Sequence, residues 1–246
     1  MKLSIRREAL AGDIIEPLQG GGALIRRGMK SQKFLEAAAE LVEAGRRFDG
    51  RGWVLGTSGN LSVVVAPQPL TLAITPSGAF KGSLTESRIL EVDEQGVVSG
   101  DTSVRPSAET GLHLAIVRAR GAGAVFHTHS IWSTVLSDLH TTEGGLLIEG
   151  YEMLKGLSGV RTHQHSEWVP IVENDQDMSR LGRVVSDALA QHPGAHGFLI
   201  RRHGLYTWGE DAEEAIRHVE IFEFLFETIG QTLACRRAAG RAALET

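Results

Sequence analysis

The pair His127 and His129, separated by one threonine, is the sharpest chemical signal in the sequence. The apolar residues before the pair predict a strand over residues 124–129. In a strand, side chains two positions apart face the same side, and their Cα atoms are about 6.6 Å apart. Two imidazoles on one face at that spacing can bind the same metal ion. The alternative is that both are polar residues at a strand end that only form hydrogen bonds.

A third histidine follows another predicted strand. His203 comes directly after the apolar run over residues 197–200, at a strand end, where α/β sheets place their ligands. Together the three imidazoles would supply the protein ligands of a catalytic zinc ion, which keeps a further position open. By itself, His203 would more often be an ordinary loop residue. A second pair, His163 and His165, has the same spacing but lies in a polar stretch that favours a solvated loop.

Three short segments of the first half are rich in glycine, serine and other small residues. They are residues 56–62, 75–78 and 106–109. Small residues allow backbone N–H groups to approach a phosphate closely, and the N-terminus of a helix adds a favourable dipole. None of the segments carries a Walker or Rossmann fingerprint, so as a set they favour a sugar phosphate over a nucleotide. Each segment taken alone is also compatible with a simple turn.

Helices and strands that would position these residues follow from the apolar periodicity. Helices are predicted from Ser31 onward and over residues 107–120, 131–139 and 178–191. Strands are predicted over residues 61–65, 70–74, 124–129, 146–148, 168–172 and 197–200, with a short strand and turn over 89–98. This mixture predicts an α/β protein with a single three-layered α/β/α domain.

The last predicted helix carries one apolar stripe. Its residues are Ala215, Val219, Phe222, Phe226, Ile229 and Leu233. An apolar stripe of this kind packs on something, which here is either the sheet or a neighbouring subunit. The sequence does not choose between the two.

Composition and charge exclude several classes of partner. The 246 residues contain 25 Lys and Arg against 30 Asp and Glu, and the net charge of −5 argues against nucleic acid or an anionic membrane. No apolar run approaches the ~20 residues of a membrane span. The N-terminus lacks the apolar segment of a secretory signal, so a cytoplasmic protein is expected. With Cys235 alone, no intramolecular disulfide can form.

The first thirty residues differ in composition from the rest of the chain. They are rich in glycine and arginine and predict a poorly packed N-terminal extension over residues 1–30. No repeat, linker or low-complexity block divides the remaining sequence, so residues 31–246 are predicted to form one catalytic domain.

In their order along the chain, these motifs resemble the class II aldolase and adducin-head family. The matching runs are Gly-Thr-Ser-Gly-Asn-Leu-Ser at 56–62, Ile-Thr-Pro-Ser-Gly at 74–78, Pro-Ser-Ala-Glu at 106–109, His-Thr-His-Ser at 127–130 and His-Gly at 203–204. The family's zinc-dependent enzymes include fuculose-phosphate aldolase and ribulose-phosphate 4-epimerase. The resemblance covers the chain from about Ser31 to Gln231 and implies a central mixed, largely antiparallel sheet.

The resemblance also implies a role for each matching residue. His127, His129 and His203 would bind Zn²⁺, one ion per subunit. Glu109 occupies the place of the aldolases' catalytic, metal-contacting glutamate. The residues around the substrate's phosphate would be Gly59, Asn60, Ser77, Gly78, Ser107 and Ala108. The partner would be a small sugar phosphate, and the assembly a homotetramer with active sites near subunit interfaces.

Three further segments, residues 150–156, 169–174 and 201–209, resemble one dehydratase branch of that family. This resemblance implies a hydro-lyase of methionine salvage that removes water from a methylthio-substituted ketose phosphate, with Glu152 as the acid/base. The Met and Leu after Glu152 are compatible with a pocket for the methylthio tail. Without the family, Glu152 would be interpreted as an exposed carboxylate at a helix end.

Two other functions stay open on the sequence alone. An aldolase or epimerase acting on another sugar phosphate would use the same fold and metal, and only the reaction product separates it from a dehydratase. A non-catalytic binding domain like the adducin head would have no need of three histidines at one site, so bound metal separates it from both enzymes.

Overall fold

The computed structural model describes residues 30–100 and 103–242. The predicted extension over residues 1–30 therefore lies, apart from Lys30, outside the described residues. The described helices are α1 (Gln32–Gly50), α2 (Thr110–Arg120), α3 (Ile131–Leu139), α4 (Met178–Gln191) and α5 (Ala212–Ala242). The strands are β1 (Asn60–Pro67), β2 (Leu70–Ile74), β3 (Leu90–Val92), β4 (Ala124–Thr128), β5 (Gly145–Glu149), β6 (Ser166–Val172), β7 (Gly197–Ile200) and β8 (Gly204–Gly209).

One eight-stranded sheet forms the central layer of the described residues, with the strand order β3-β2-β1-β4-β8-β7-β6-β5. Of its seven neighbouring pairs, β6 and β7 run parallel, with Ile171 opposite Leu199. The other six pairs are antiparallel. The prediction of a mixed, largely antiparallel sheet is confirmed.

Helices cover both faces of the sheet. On one face, α1 and the first half of α5 pack on β1 and β4, while α3 and the next turns of α5 pack on β5, β7 and β8. On the other face, α2 and α4 cover β2, β3 and the opposite sides of β4, β7 and β8. Neighbouring residues of β7 illustrate the alternation, since Phe198 faces α2 and α4 whereas Leu199 faces α5. The three-layered α/β/α architecture is confirmed.

Several predicted helix boundaries follow from local capping. Ser31 caps α1 by accepting a hydrogen bond from the Phe34 backbone N–H at 3.2 Å. The second helix, predicted from residue 107, instead begins at Thr110. The backbone N–H of Thr110 donates to the Ser107 carbonyl at 3.1 Å, and that of Glu109 donates to the Ser107 hydroxyl at 3.2 Å. Residues 107–109 therefore form a separate turn ahead of α2.

Strand β8 is not among the predicted strands. It runs between β4 and β7, with Leu205 opposite Thr128 on one side and Leu199 on the other. All six of its residues are buried, so the sequence has no alternation of polar and apolar positions to reveal the strand. A tight turn in which Arg202 has a φ of 52° reverses the chain between β7 and β8.

The apolar stripe of the last helix packs within the chain itself. Ala215, Val219, Phe222 and Phe226 are buried against the sheet and its neighbouring elements. The two later residues of the stripe are partly buried beside the same cluster. Although α5 has 31 residues, neither it nor any other helix in the described ranges is long and apolar enough to cross a membrane.

Two leucines of α1 provide a test of this packing. Leu41 is fully buried beneath the sheet, whereas Leu35 on the same helix is 44% exposed. We expect Leu41→Ala to lower the free energy of unfolding by about 2–5 kcal/mol, because it leaves a cavity in the core. Leu35→Ala, the matched control, should change it by less than about 1 kcal/mol. Urea unfolding at a fixed protein concentration measures both, and equal losses would contradict the placement of α1.

Candidate metal centre

The imidazoles of His127, His129 and His203 meet at the C-terminal end of β4, next to the turn between β7 and β8. The Nε2 atom of His127 lies 2.8 Å from Nε2 of His129 and 3.3 Å from Nε2 of His203. One ring nitrogen from each of the three lies within 4.8 Å of the others. The structure thus brings together the three residues that the sequence suggested as ligands.

Two segments of backbone hold these rings. His127 lies in β4, and His129 is one residue beyond the end of that strand, where its N–H donates to the Trp53 carbonyl at 2.7 Å. His203 lies in the turn between β7 and β8. Because β8 pairs with β4, Tyr206 stands opposite His127 and the turn is placed next to the end of β4.

A backbone hydrogen bond fixes the tautomer of His127. Its Nδ1 donates to the Leu205 carbonyl at 2.8 Å, which leaves the lone pair on Nε2, the atom that faces the other two rings. The ring is also stacked on Tyr206, with centroids 4.0 Å apart and an angle of 10° between the planes. The orientation is therefore determined by β8 on two sides.

The surroundings keep all three imidazoles neutral at neutral pH. Burial, with added repulsion from His129 and His203, lowers the pKa of His127 well below its ordinary value. Burial and the charges of His203 and Lys81 lower the pKa of His129 to about 4, and burial lowers the pKa of His203. A nitrogen of each neutral ring thus lies close enough to the others for all three to bind one cation. This donor set fits Zn²⁺ or another divalent transition metal.

Glu109 stands beside these three rings. Its Oε2 lies 3.6 Å from Nε2 of His127, and its Oε1 lies 3.6 Å from Nε2 of His203. The carboxylate is thus placed either to contact a bound metal ion or to accept a proton from a ligand of that ion. The metal-contacting role that the family resemblance implied for Glu109 stays a prediction.

A chain of buried side chains orients this carboxylate. Asn60 donates from its amide nitrogen to Oε2 of Glu109 at 2.6 Å, and its amide oxygen is bonded to Nε2 of His113. Burial lowers the pKa of His113 to about 3, so this imidazole is neutral. Its Nε2–H donates to Asn60, and its Nδ1 accepts a hydrogen bond from the Ser62 hydroxyl at 2.7 Å. Sequence reasoning missed His113 and Ser62, because each looks like an ordinary core position.

The three segments rich in small residues lie next to one another. The backbone N–H of Leu61 donates to the Thr75 hydroxyl at 3.1 Å, which joins the first segment to the second. The backbone N–H of Ser77 donates to the carbonyl of Arg105, the residue directly before the third segment, at 2.9 Å. Ser77, Gly78 and Ala108 are exposed, whereas Gly59 and Ser107 are half-buried.

Gly59 connects these segments to the metal-binding strand. Its φ is +68°, and a Cβ atom placed on it would lie 2.6 Å from the carbonyl oxygen of His127. Any larger residue at this position would therefore be strained and would push the end of β4 away. Asn60, the next residue, uses both ends of its amide on Glu109 and His113, so its contact with a phosphate remains a prediction.

Glu152 lies apart from the three imidazoles. It begins the short helical turn Glu152–Gly156, and its side chain is 71% exposed. A hydrogen bond and ion pair with Lys155 at 2.7 Å lower its pKa, and His163 lies 3.7 Å away. No hydrogen bond or ion pair joins it to the three imidazoles within the part of the chain that the structure describes. The geometry thus separates the two glutamates.

A second cluster, formed by His165, Glu167 and His196, also has the composition of a metal site. His196 faces an acceptor at both nitrogens, with Nδ1 3.0 Å from the Glu167 carboxylate and Nε2 2.8 Å from the Ser158 carbonyl. Burial alone would lower its pKa, but the Glu167 hydrogen bond and charge raise it. His196 thus has a hydrogen-bond acceptor at each ring nitrogen, so neither nitrogen faces a position open for a metal ion. Of the pair predicted to lie in a solvated loop, His163 is exposed, whereas His165 is half-buried with its Nε2 2.8 Å from the Glu167 carboxylate.

Two further polar side chains near the centre gave no clear signal in the sequence. The Tyr206 hydroxyl is fully buried and has no hydrogen-bond partner of good geometry among the described residues. Burial, with the charge of Glu109, raises its pKa well above the ordinary value. Lys81 is likewise buried, and it is the one lysine between Lys33 and Lys155, which is the only hint that the sequence offered.

Comparison with known sequences supports the same grouping of motifs. The family model described as "Class II Aldolase and Adducin N-terminal domain" matches residues 39–229. A methylthioribulose-1-phosphate dehydratase from Sorangium cellulosum is 44% identical over 82% of this chain and 94% of its own length. The enzyme of that name from Methylococcus capsulatus is 45% identical over 81% of this chain and 95% of its own length.

Solved structures share the fold. The YgbL protein of Escherichia coli is 29% identical and superposes with a TM-score of 0.65 over 80% of this chain and 89% of that chain. The L-fuculose-1-phosphate aldolase of Thermus thermophilus is 23% identical, with a TM-score of 0.63 over 84% of this chain and 98% of that chain. At 23% identity the latter likeness concerns the fold alone.

Metal content tests the assignment of the three imidazoles. We expect the purified protein to bind one divalent transition-metal ion per chain, and His127→Ala to lose it, because one of three ligands and its fixed tautomer are gone. His165→Ala, in the second cluster, is the matched control and should keep the metal. Elemental analysis after dialysis against a weak chelator measures both variants. A full complement of metal in His127→Ala would contradict the ligand set.

Proposed function

The chain belongs to the class II aldolase and adducin N-terminal domain family, and from this premise we propose that it removes water from 5-methylthioribulose 1-phosphate. The product is 2,3-diketo-5-methylthiopentyl 1-phosphate, a step of methionine salvage, and the activity is that of a hydro-lyase. The observation that carries the proposal is the meeting of three neutral imidazoles with the carboxylate of Glu109. The matching names of relatives at 44% and 45% identity support the substrate.

The proposed cofactor is one Zn²⁺ ion per chain, held by His127, His129 and His203. When bound, such an ion polarises the C2 carbonyl of the ketose phosphate and makes the proton on C3 acidic. The reaction then requires a base for the C3 proton and an acid for the C4 hydroxyl, which leaves as water when its C–O bond breaks. The resulting enol at C3 and C4 becomes a ketone at C3 when C4 takes up a proton.

Glu109 is suited to act as a base in the proposed reaction. The amide of Asn60 occupies its Oε2, so Oε1 keeps a lone pair available to accept a proton. The neutral His113 holds Asn60 in turn, which fixes the direction of the carboxylate. The proposal therefore gives Glu109 a direct part at the reacting carbons and gives Asn60 and His113 a positioning part.

We propose that Glu152 acts at the centre of a neighbouring copy in a homotetramer. Its 71% exposure and its separation from the imidazoles of its own chain support this arrangement. An apolar stripe on α3, formed by Ile131, Val135 and Leu139 at 72%, 37% and 51% exposure, favours a surface that another copy covers. In such an assembly Glu152 would return a proton to the leaving hydroxyl.

The product of the reaction tests the proposed function. The metal-loaded protein incubated with 5-methylthioribulose 1-phosphate should release the diketone, and Glu152→Gln should lower kcat by about 100-fold or more while metal content stays unchanged. Glu143→Gln, another exposed glutamate, is the control and should keep full activity. Formation of an aldehyde and dihydroxyacetone phosphate would show an aldolase instead. Full activity in Glu152→Gln would remove that residue from the mechanism.

Mixing two inactive variants tests whether Glu152 acts between copies. Glu152→Gln has intact imidazoles, and His127→Ala has an intact Glu152, so a mixed assembly contains sites with both functional parts. After co-refolding at equal amounts, activity should return to about a quarter of the unaltered level by random assortment of copies. Activity that stays at the sum of the separate variants would place the acid within one chain.

A further inference from the structure

Lys81 is a buried cation that the proposed mechanism does not use. It begins the short helical turn Lys81–Ser83, and its side chain is 1% exposed. No carboxylate lies within ion-pair distance of its Nζ among the residues that the structure describes. Lysine is rarely buried without a partner, because removing an ammonium from water is unfavourable. A buried lysine without an anion therefore calls for a functional explanation.

Two carbonyl oxygens hold the ammonium in place. Nζ donates to the Thr57 carbonyl at 3.0 Å and to the Ala79 carbonyl at 2.9 Å. An ammonium has three donors, so one N–H remains for a further acceptor. Burial lowers the pKa of Lys81 to about 8, which keeps the group largely protonated at pH 7. Neutral carbonyls leave its positive charge uncompensated.

The position of Lys81 relates it to the site. Thr57 lies directly before Ser58 and Gly59, and Ala79 lies directly after Ser77 and Gly78. Nζ therefore joins the two segments in which the substrate's phosphate is expected. In the first segment, the buried Ser58 hydroxyl also has no hydrogen-bond partner among the described residues. An unused donor on Nζ and an unpaired hydroxyl one residue after Thr57 point to an anionic ligand.

We propose that Lys81 binds the phosphate group of the substrate and supplies the positive charge that retains it between the two segments. The proposal rests on the proposed function, since it takes its phosphate from that substrate. The two hydrogen bonds to Thr57 and Ala79 preorganise the ammonium, so little freedom is lost when the anion binds. The competing explanation is that Lys81 only holds the two segments together through its hydrogen bonds.

Inorganic phosphate is the probe for this proposal. In the metal-loaded protein at pH 7, Lys81→Met should raise the dissociation constant of phosphate at least 10-fold by calorimetry, whereas Lys81→Arg, which keeps the charge, should stay closer to the unaltered protein. For the substrate, KM should rise by a similar factor with kcat changed less than 3-fold. Lys33→Met, in which an exposed lysine of α1 is replaced, is the matched control and should change neither constant.

A ligand without phosphate separates charge from structure. Unphosphorylated 5-methylthioribulose, used as a competitive inhibitor, should bind to Lys81→Met as it does to the unaltered protein, and metal content should be the same. If Lys81→Met weakened the binding of both ligands equally, or lost the metal, Lys81 would have only a structural role and the proposal would be overturned. If Lys81→Met does not fold, Lys81→Gln, which keeps a donor for the two carbonyls without the charge, provides the same comparison.

Phosphate binding does not depend on turnover, so the two proposals fail separately. A protein that binds phosphate through Lys81 but releases no diketone would overturn the proposed reaction only. An unchanged phosphate dissociation constant in Lys81→Met, or no measurable phosphate binding by the unaltered protein, would overturn the role of Lys81.

Discussion

Three imidazole nitrogens within 4.8 Å of one another are the constraint on which the rest of the site depends. Without a cation, such rings can turn away from one another or take up a proton. The fold disfavours both changes, since burial lowers the pKa of all three imidazoles and β8 fixes the ring of His127 by a hydrogen bond and by stacking. This arrangement suits a divalent cation, which binds neutral imidazole nitrogens.

Close backbone approach is what makes the arrangement possible. A Cβ atom on Gly204 would lie 2.0 Å from the Thr128 carbonyl, and one on Gly59 would lie 2.6 Å from the His127 carbonyl. Both glycines thus allow neighbouring segments to contact the last residues of β4. His203 lies in the turn that precedes Gly204, and Asn60 begins the strand that follows Gly59. These two glycines therefore allow both His203, the third ligand, and Asn60, which orients Glu109, to reach the metal centre.

Sequence patterns predicted most of this fold because its helices are amphipathic and most of its strands are apolar runs between turns. The helix α4 has the predicted bounds, Met178–Gln191. Strand β8 was missed because it is buried along its whole length. Helix α2 begins later than predicted because the hydroxyl and carbonyl of Ser107 accept hydrogen bonds that form a separate turn before the helix. The three histidines followed from spacing and strand ends, whereas His113 and Lys81 depend on contacts that no local pattern reports.

Two clusters of histidine and glutamate in one chain illustrate that composition alone does not make a metal site. At His196 both ring nitrogens face a hydrogen-bond acceptor, while at His127 one nitrogen faces an acceptor and the other faces two imidazoles and, at 3.6 Å, the Glu109 carboxylate. Anomalous diffraction from crystals of the protein loaded with zinc tests this distinction most directly. One peak per chain, at about 2.0–2.1 Å from Nε2 of His127, His129 and His203, is the predicted result. A peak at His165, Glu167 and His196, or none among the three imidazoles, would contradict it.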